Sequence, residues 1–245
     1  MRKILVLLFL SAALMATASD LFERGREHYS AGRFEIALVT LLESLREEPE
    51  NPDCYLFIGN IYTEKREFNR AIAYYRIGLD LTARPNIFHF NIGHALYYSK
   101  RYDEAIVSLR KALQGEQGIP GAWLELGRTY YQLSDKSNTI RSWQNYLRAL
   151  PNNPQAATIR RAIELLSRED YLMPAERAKL ERERLAEEEA RRQDLRDRLA
   201  QALLEGEGKA TPMIFTESDV ITTVNEVDTE SKDKDDFSFE EDIEK

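Results

Sequence analysis

Asn91-Ile-Gly-His-Ala-Leu-Tyr-Tyr-Ser-Lys-Arg-Tyr-Asp-Glu-Ala-Ile106 decides the fold, because its spacing of glycine, aromatic and alanine recurs along the chain. Its glycine, Gly93, has counterparts at Gly25, Gly59 and Gly127, each 34 places from the next. An alanine follows 12 places later at Ala37, Ala71 and Ala105, and Thr139 takes that place in the fourth copy. Between them stand Phe34, Phe68 and Tyr102, then Lys136 where the aromatic column breaks. Past the alanine comes a bulky column of Leu41, Tyr75, Leu109 and Trp143. A period near ~34 residues is that of a helix–turn–helix solenoid unit. The expectation is an all-α chain in which each copy is two antiparallel helices. The glycine and alanine columns belong where helices pass closely, and the larger columns fill the space around them. One such unit cannot bury its apolar face alone, so the copies must stack.

The same stretch resembles tetratricopeptide (TPR) repeats, and reads almost as that family's consensus. Trp123-Leu-Glu-Leu-Gly-Arg-Thr-Tyr130 carries the family's tryptophan, leucine, glycine and tyrosine. The resemblance covers about residues 18–153, as units 18–51, 52–85, 86–119 and 120–153. Prolines punctuate the unit ends: Pro49 and Pro52, Pro85, Pro120, Pro151 and Pro154. Proline cannot donate into a preceding turn and biases its predecessor away from helix. The spacing therefore predicts helix pairs beginning near Asp53, Ile87 and Gly121. It predicts turns at Ala31-Gly32-Arg33, Lys65-Arg66-Glu67, Ser99-Lys100-Arg101 and Ser134-Asp135-Lys136.

The flanks read differently. Residues 1–19 have the form of a secretory signal: Arg2 and Lys3, then an uncharged apolar run from Ile4 to Leu14, then Ala16-Thr17-Ala18. That run is within the ~7–15 residues of a signal core and short for a membrane span. Cleavage after Ala18 or Ser19 leaves a mature chain that does not span a membrane; an uncleaved anchor helix is the alternative. The repeat domain is then 20–153, followed by a capping helix within 154–170 on which Ile159, Ile163 and Leu166 follow helical spacing. A charged segment, 171–205, is predicted to be helical from Pro174. Its pairs Glu187–Arg191, Glu188–Arg192 and Asp194–Arg198 are each worth roughly ~0.2–0.5 kcal/mol. Leu185, Leu195 and Leu199 fit part of a heptad that Glu188 and Arg192 interrupt, so a solvated helix is favoured over a coiled coil. Residues 206–245 carry thirteen acids and four lysines, a balance of −9, which predicts a disordered acidic tail.

The net charge of −8 argues against a general nucleic-acid binder. Cys54 is the only cysteine, which leaves no intrachain disulfide and points to a buried structural thiol. Gly206-Glu-Gly-Lys209 lacks the first glycine and the hydroxyl residue of a phosphate loop, since Leu203 and Ala210 stand there. His89 and His94 are five apart, off one helical face, and His28 is remote. Nothing in the sequence calls for a cofactor, a metal or a catalytic residue, and the chain is not expected to be an enzyme.

The resemblance implies binding instead. In TPR proteins the first helices of successive units line a concave groove. Carried over, this places Phe22, Arg26 and Tyr29 there in the first unit, and Leu56, Asn60 and Thr63 in the second. Phe90, His94 and Tyr97 follow in the third, then Leu124, Arg128 and Tyr131 in the fourth. The family's carboxylate clamp is matched only by Asn60 and Asn91, because Leu56, Gly121 and Glu125 replace its cations. The expected function is an exported, periplasmic or secreted scaffold that binds a protein or peptide. The alternative is an oligomeric structural envelope protein that self-associates through 174–205.

Overall fold

The computed structural model describes residues 19–116 and 118–206. The expected signal and acidic tail lie outside the described residues, apart from Ser19 and Gly206 at their edges. Among the described residues every regular element is helical. The chain divides into two compact units, the first ending at Arg168 and the second beginning at Glu169.

Among its described residues the first unit holds nine helices. These are α1 (residues 19–30), α2 (Phe34–Glu47), α3 (Pro52–Glu64), α4 (Phe68–Leu81) and α5 (Pro85–Tyr98). They continue with α6 (Tyr102–Ala112), α7 (Gly121–Gln132), α8 (Lys136–Ala149) and α9 (Ala156–Ser167). Helices α3/α4, α5/α6 and α7/α8 pack as pairs, and the second helix of each pair packs on the next element. The first helices also touch one another, α3 on α5 and α5 on α7, so they form a layer of their own.

The glycine column explains the pairing. A Cβ on Gly25, Gly59, Gly93 or Gly127 would run into Leu41, Tyr75, Leu109 or Trp143 respectively. Each glycine thus receives the bulky residue of its own second helix against bare backbone. Ala37, Ala71, Ala105 and Thr139 are buried beside these crossings. Thr139 can replace alanine because its hydroxyl donates back to the Asp135 carbonyl at 2.8 Å and leaves no unpaired polar group. Cys54 is buried, and its S–H lies 3.5 Å from Ser44 Oγ. Burial pushes this thiol up to about 11, which keeps it protonated and unreactive.

The pair turns repeat as strictly as the glycines. Gly32, Arg66, Lys100 and Ser134 all have positive φ, between 57° and 71°. Their N–H groups donate to the carbonyls of Tyr29, Thr63, Tyr97 and Tyr131. The N–H groups of the next residues, Arg33, Glu67, Arg101 and Asp135, donate to His28, Tyr62, Leu96 and Tyr130. This double bond pattern closes a helix with one left-handed residue. The fourth turn is therefore one residue earlier than the sequence suggested. It ends at Asp135, whose carboxylate caps α8 by accepting the Asn138 N–H at 3.0 Å. Two helices start on the prolines themselves: α3 on Pro52, next to the expected Asp53, and α5 on Pro85, two residues before the expected Ile87. A first-turn proline forfeits no helical hydrogen bond, so it opens a helix.

Lys136 also gains a reason. At the aromatic position of the fourth copy, its ammonium donates to the Arg168 carbonyl just past α9, at 2.9 Å. On α9, Ile159 and Leu166 are buried with Ala156 and Ala162, Ile163 is half-buried, and Arg160, Arg161 and Glu164 are exposed.

The second unit contains α10 (Pro174–Gly206). Glu176 accepts the Met173 N–H at 2.7 Å ahead of its first turn. Arg192–Glu188 and Arg198–Asp194 pair at 2.6 Å and 2.9 Å, and Leu180, Leu185, Leu195 and Leu199 are exposed. No helix of the described residues is long and apolar enough to cross a membrane.

The turn geometry makes a stability prediction. A side chain in the left-handed region costs roughly 1–2 kcal/mol, of which glycine recovers part after its own entropy loss. Lys100→Gly is expected to stabilise the chain by up to about 1 kcal/mol. An increase in urea midpoint checks this, and a decrease contradicts it.

Candidate protein-binding face

The layer of first helices carries one polar residue directly after each glycine: Arg26, Asn60, His94 and Arg128. Around this column the structure builds two different joints. Between the first and second pairs the joint is aromatic. The Phe57 ring meets Phe22 edge-on at 5.8 Å and Tyr29 at 5.4 Å, and Tyr29 also meets Phe34 at 5.7 Å. Arg26 beside them is exposed and pairs with Glu23.

In the second pair, Asn60 and Thr63 are half-buried around the Tyr75 hydroxyl. Tyr75 donates to Asn60 Oδ1 at 2.8 Å, and Thr63 Oγ1 lies 3.0 Å from the same hydroxyl. Leu56 is half-buried against the core of the second and third pairs. This part of the predicted stripe therefore contributes to packing as well as to surface.

The third pair presents Phe90, His94 and Tyr97, all half-buried. His94 stacks with Phe90 at 6.4 Å and meets the edge of Tyr98 at 4.8 Å. Tyr97 lies among Tyr98 and Tyr102, and burial pushes its phenol up to about 12. A recess of about 240 Å³ opens beside His94, lined by Thr63, Glu64, Arg66, Phe68 and Tyr98. It is large enough for one side chain of a partner.

The fourth pair departs from the rest. Leu124 and Tyr131 are buried, with Tyr131 stacked on Trp143 at 6.5 Å, so neither offers much surface. Arg128 donates to Glu125 Oε1 at 3.0 Å. His94 Nδ1 stands 3.5 Å from Glu125 Oε2, an ion-pair distance rather than a formed hydrogen bond. Glu125 is itself buried. Burial pushes its carboxyl up, but His94 and Arg128 beside it outweigh burial and hold it below the ordinary carboxylate range.

Sequence reasoning left Phe57 out of the stripe. The missed signal was positional: Phe57, Asn91 and Glu125 each precede the repeat glycine by two. That column faces the preceding pair, as the contacts of Phe57 and Glu125 show. No three His, Cys, Asp or Glu side chains among the described residues are grouped to hold a metal ion.

Glu125 sets a pH dependence. Its folded-state carboxyl ionises more readily than in the unfolded chain, so its stabilisation is complete above the unfolded range and is lost as pH falls through the folded one. Wild type is expected to lose stability over that acid limb, and Glu125→Gln to lose less. Urea midpoints of both chains against pH measure this; parallel curves contradict it.

Comparison with known proteins agrees with the fold. The family model described as Tetratricopeptide repeat matches residues 22–86 and 90–157. Tetratricopeptide repeat protein 16 of Homo sapiens is 24% identical over 139 residues, which are 52% of this chain but only 16% of that protein. The chain therefore spans a small part of that relative. Among solved structures, Pseudomonas aeruginosa pilF gives a TM-score of 0.56 at 23% identity, covering 62% of this chain and 69% of that one. The Cut9–Hcn1 hetero-tetramer of the APC/C gives 0.55 at 21% identity, covering 60% and 30%. At these identities the likeness is one of fold.

Proposed function

We propose, from the premise that the chain belongs to the tetratricopeptide repeat family, that it is an exported, non-catalytic scaffold binding a protein or peptide along its first-helix layer. Repeats of this family mediate protein–protein interactions, which supports the general role. The observation that carries the finer reading is the stripe itself. Arg26, Asn91, His94 and Phe90 keep accessible surface on one layer, and the recess beside His94 opens onto it. Rings supply apolar contact at low entropic cost, and polar tips satisfy the groups of an extended segment. The clamp for a C-terminal carboxylate does not fit, because Glu125 is buried and ionised where that clamp needs a cation. An internal segment of the partner is the better match. Export rests on the signal-like residues 1–19.

The test begins with a partner captured from the source envelope by the repeat domain. Arg26→Ala combined with Asn91→Ala is expected to weaken its binding by roughly tenfold, the range of a few contact residues at an interface. The urea midpoint should change little, because Arg26 is exposed and Asn91 is only half-buried. Full affinity in the double variant would place the partner elsewhere.

A further inference from the structure

We infer that the turn edge between the second and third helix pairs takes an acidic stretch of the partner, while an apolar residue of the same segment sits in the recess beside His94. The inference rests on the reading that a partner lies along the first-helix layer, and it names the chemistry selected there. A second cleft, of about 410 Å³, opens at the turns of these two pairs. Arg66, Arg70 and Arg101 stand in its wall with Asn69 and Ser99, and Glu67 is the acid among them. Arg66 and Phe68 line this cleft and the recess beside His94 alike, so the two adjoin. A small anion fills one of them only; an extended segment reaches both.

The three guanidinium groups differ in what they have left to offer. Arg70 donates from Nη1 to Glu67 at 2.6 Å and lies over the Tyr62 ring. Arg101 donates from Nε and Nη2 to Glu104 at 2.7 Å and 2.6 Å. A guanidinium has five N–H donors, so both are held in place and still have donors to spare. Arg66 is exposed and makes no side-chain hydrogen bond or ion pair among the described residues. Its backbone is fixed all the same: in the left-handed turn its N–H donates to the Thr63 carbonyl at 2.8 Å. An uncompensated guanidinium on a fixed stem suits a planar carboxylate, which it binds through two parallel bonds.

On the other side of Arg66 the recess has the opposite character. Phe68 stacks on Tyr98 at 5.7 Å and His94 meets the Tyr98 edge at 4.8 Å, so rings form its wall. Glu64 lines it as well and repels an acid placed there. The two sites therefore sort one segment: an apolar or aromatic side chain goes to the rings and carboxylates go to the arginines.

Labelled synthetic peptides, titrated into the full chain at fixed ionic strength and read by fluorescence anisotropy, test this. One has phenylalanine between two runs of glutamate, which serves either chain direction. The second has glutamine for glutamate, and the third has alanine for phenylalanine. The glutamate peptide is expected to bind roughly tenfold tighter than the glutamine peptide, the worth of a hydrogen bond to a charged group. Arg66→Gln should abolish that preference and Arg66→Lys should keep part of it. The alanine peptide should bind wild type more weakly than the glutamate peptide. Arg66 is exposed, so its variants are expected to keep the fold, which an unchanged urea midpoint checks. Equal or absent binding of the glutamate and glutamine peptides, or a preference that survives Arg66→Gln, overturns the inference. Undiminished binding of the alanine peptide overturns it too, since the cleft then takes an anion alone. The captured partner's response to Arg26→Ala with Asn91→Ala judges the layer separately, so a failure here is told apart from a failure of that reading.

Discussion

A bare glycine backbone pressed against a large side chain is the constraint on which the stack depends. Leu41, Tyr75, Leu109 and Trp143 occupy the volume a Cβ would take on Gly25, Gly59, Gly93 and Gly127. That contact fixes how closely each second helix approaches its first. The approach in turn sets where the pair presents its outer surfaces to the next pair. Because units couple to nearest neighbours, an error at one crossing is felt along the stack. In the fourth pair the glycine also lets the indole N–H of Trp143 reach the Leu124 carbonyl at 3.3 Å, so the largest side chain is buried with its polar atom satisfied.

The columns made this architecture readable without coordinates. The spacing from glycine to bulky residue is the spacing of a close crossing in a two-helix unit, and the structure places those partners together in all four copies. The turns were less legible. Only Gly32 announces a left-handed residue; Arg66, Lys100 and Ser134 adopt the same conformation with no residue signal. Backbone hydrogen bonds enforce it there, and those are invisible in composition. Lys136 read as a defect in a column, yet it spans to the end of the covering helix, a contact between residues 32 apart. The face was legible as a stripe. Its depth was not, because burial of Leu124 and Tyr131 depends on the size of Trp143 and its neighbours. Fold, then, follows from local spacing, while accessibility follows from what the next element covers.

That distinction shapes the functional reading. The first-helix layer is not a uniform binding strip. Its first joint is sealed by aromatic rings, and its middle hydrogen-bonds the tip of a core tyrosine. Its last joint holds a buried carboxylate between a histidine and an arginine. Removing Arg128 or His94 takes away part of what compensates the buried Glu125 carboxylate, which is why stability and recognition are entangled there. The accessible parts, around exposed Arg26, half-buried Asn91 and the recess beside His94, are where a partner can gain contact with least disturbance to the stack.

The close-crossing account is tested most directly at Gly59 and Tyr75, where the atoms nearest an added methyl all belong to the tyrosine ring. Alanine is favoured over glycine within a helix by about 1 kcal/mol, whereas overpacking costs ~1–3 kcal/mol, so the two effects oppose each other. The measurement is the urea unfolding free energy of Gly59→Ala in the natural chain and in a Tyr75→Ala background. The account predicts a reversal of sign: destabilising beside the tyrosine and neutral or stabilising once the ring is gone. Equal effects in both backgrounds would contradict it, because the ring would then not be what requires glycine.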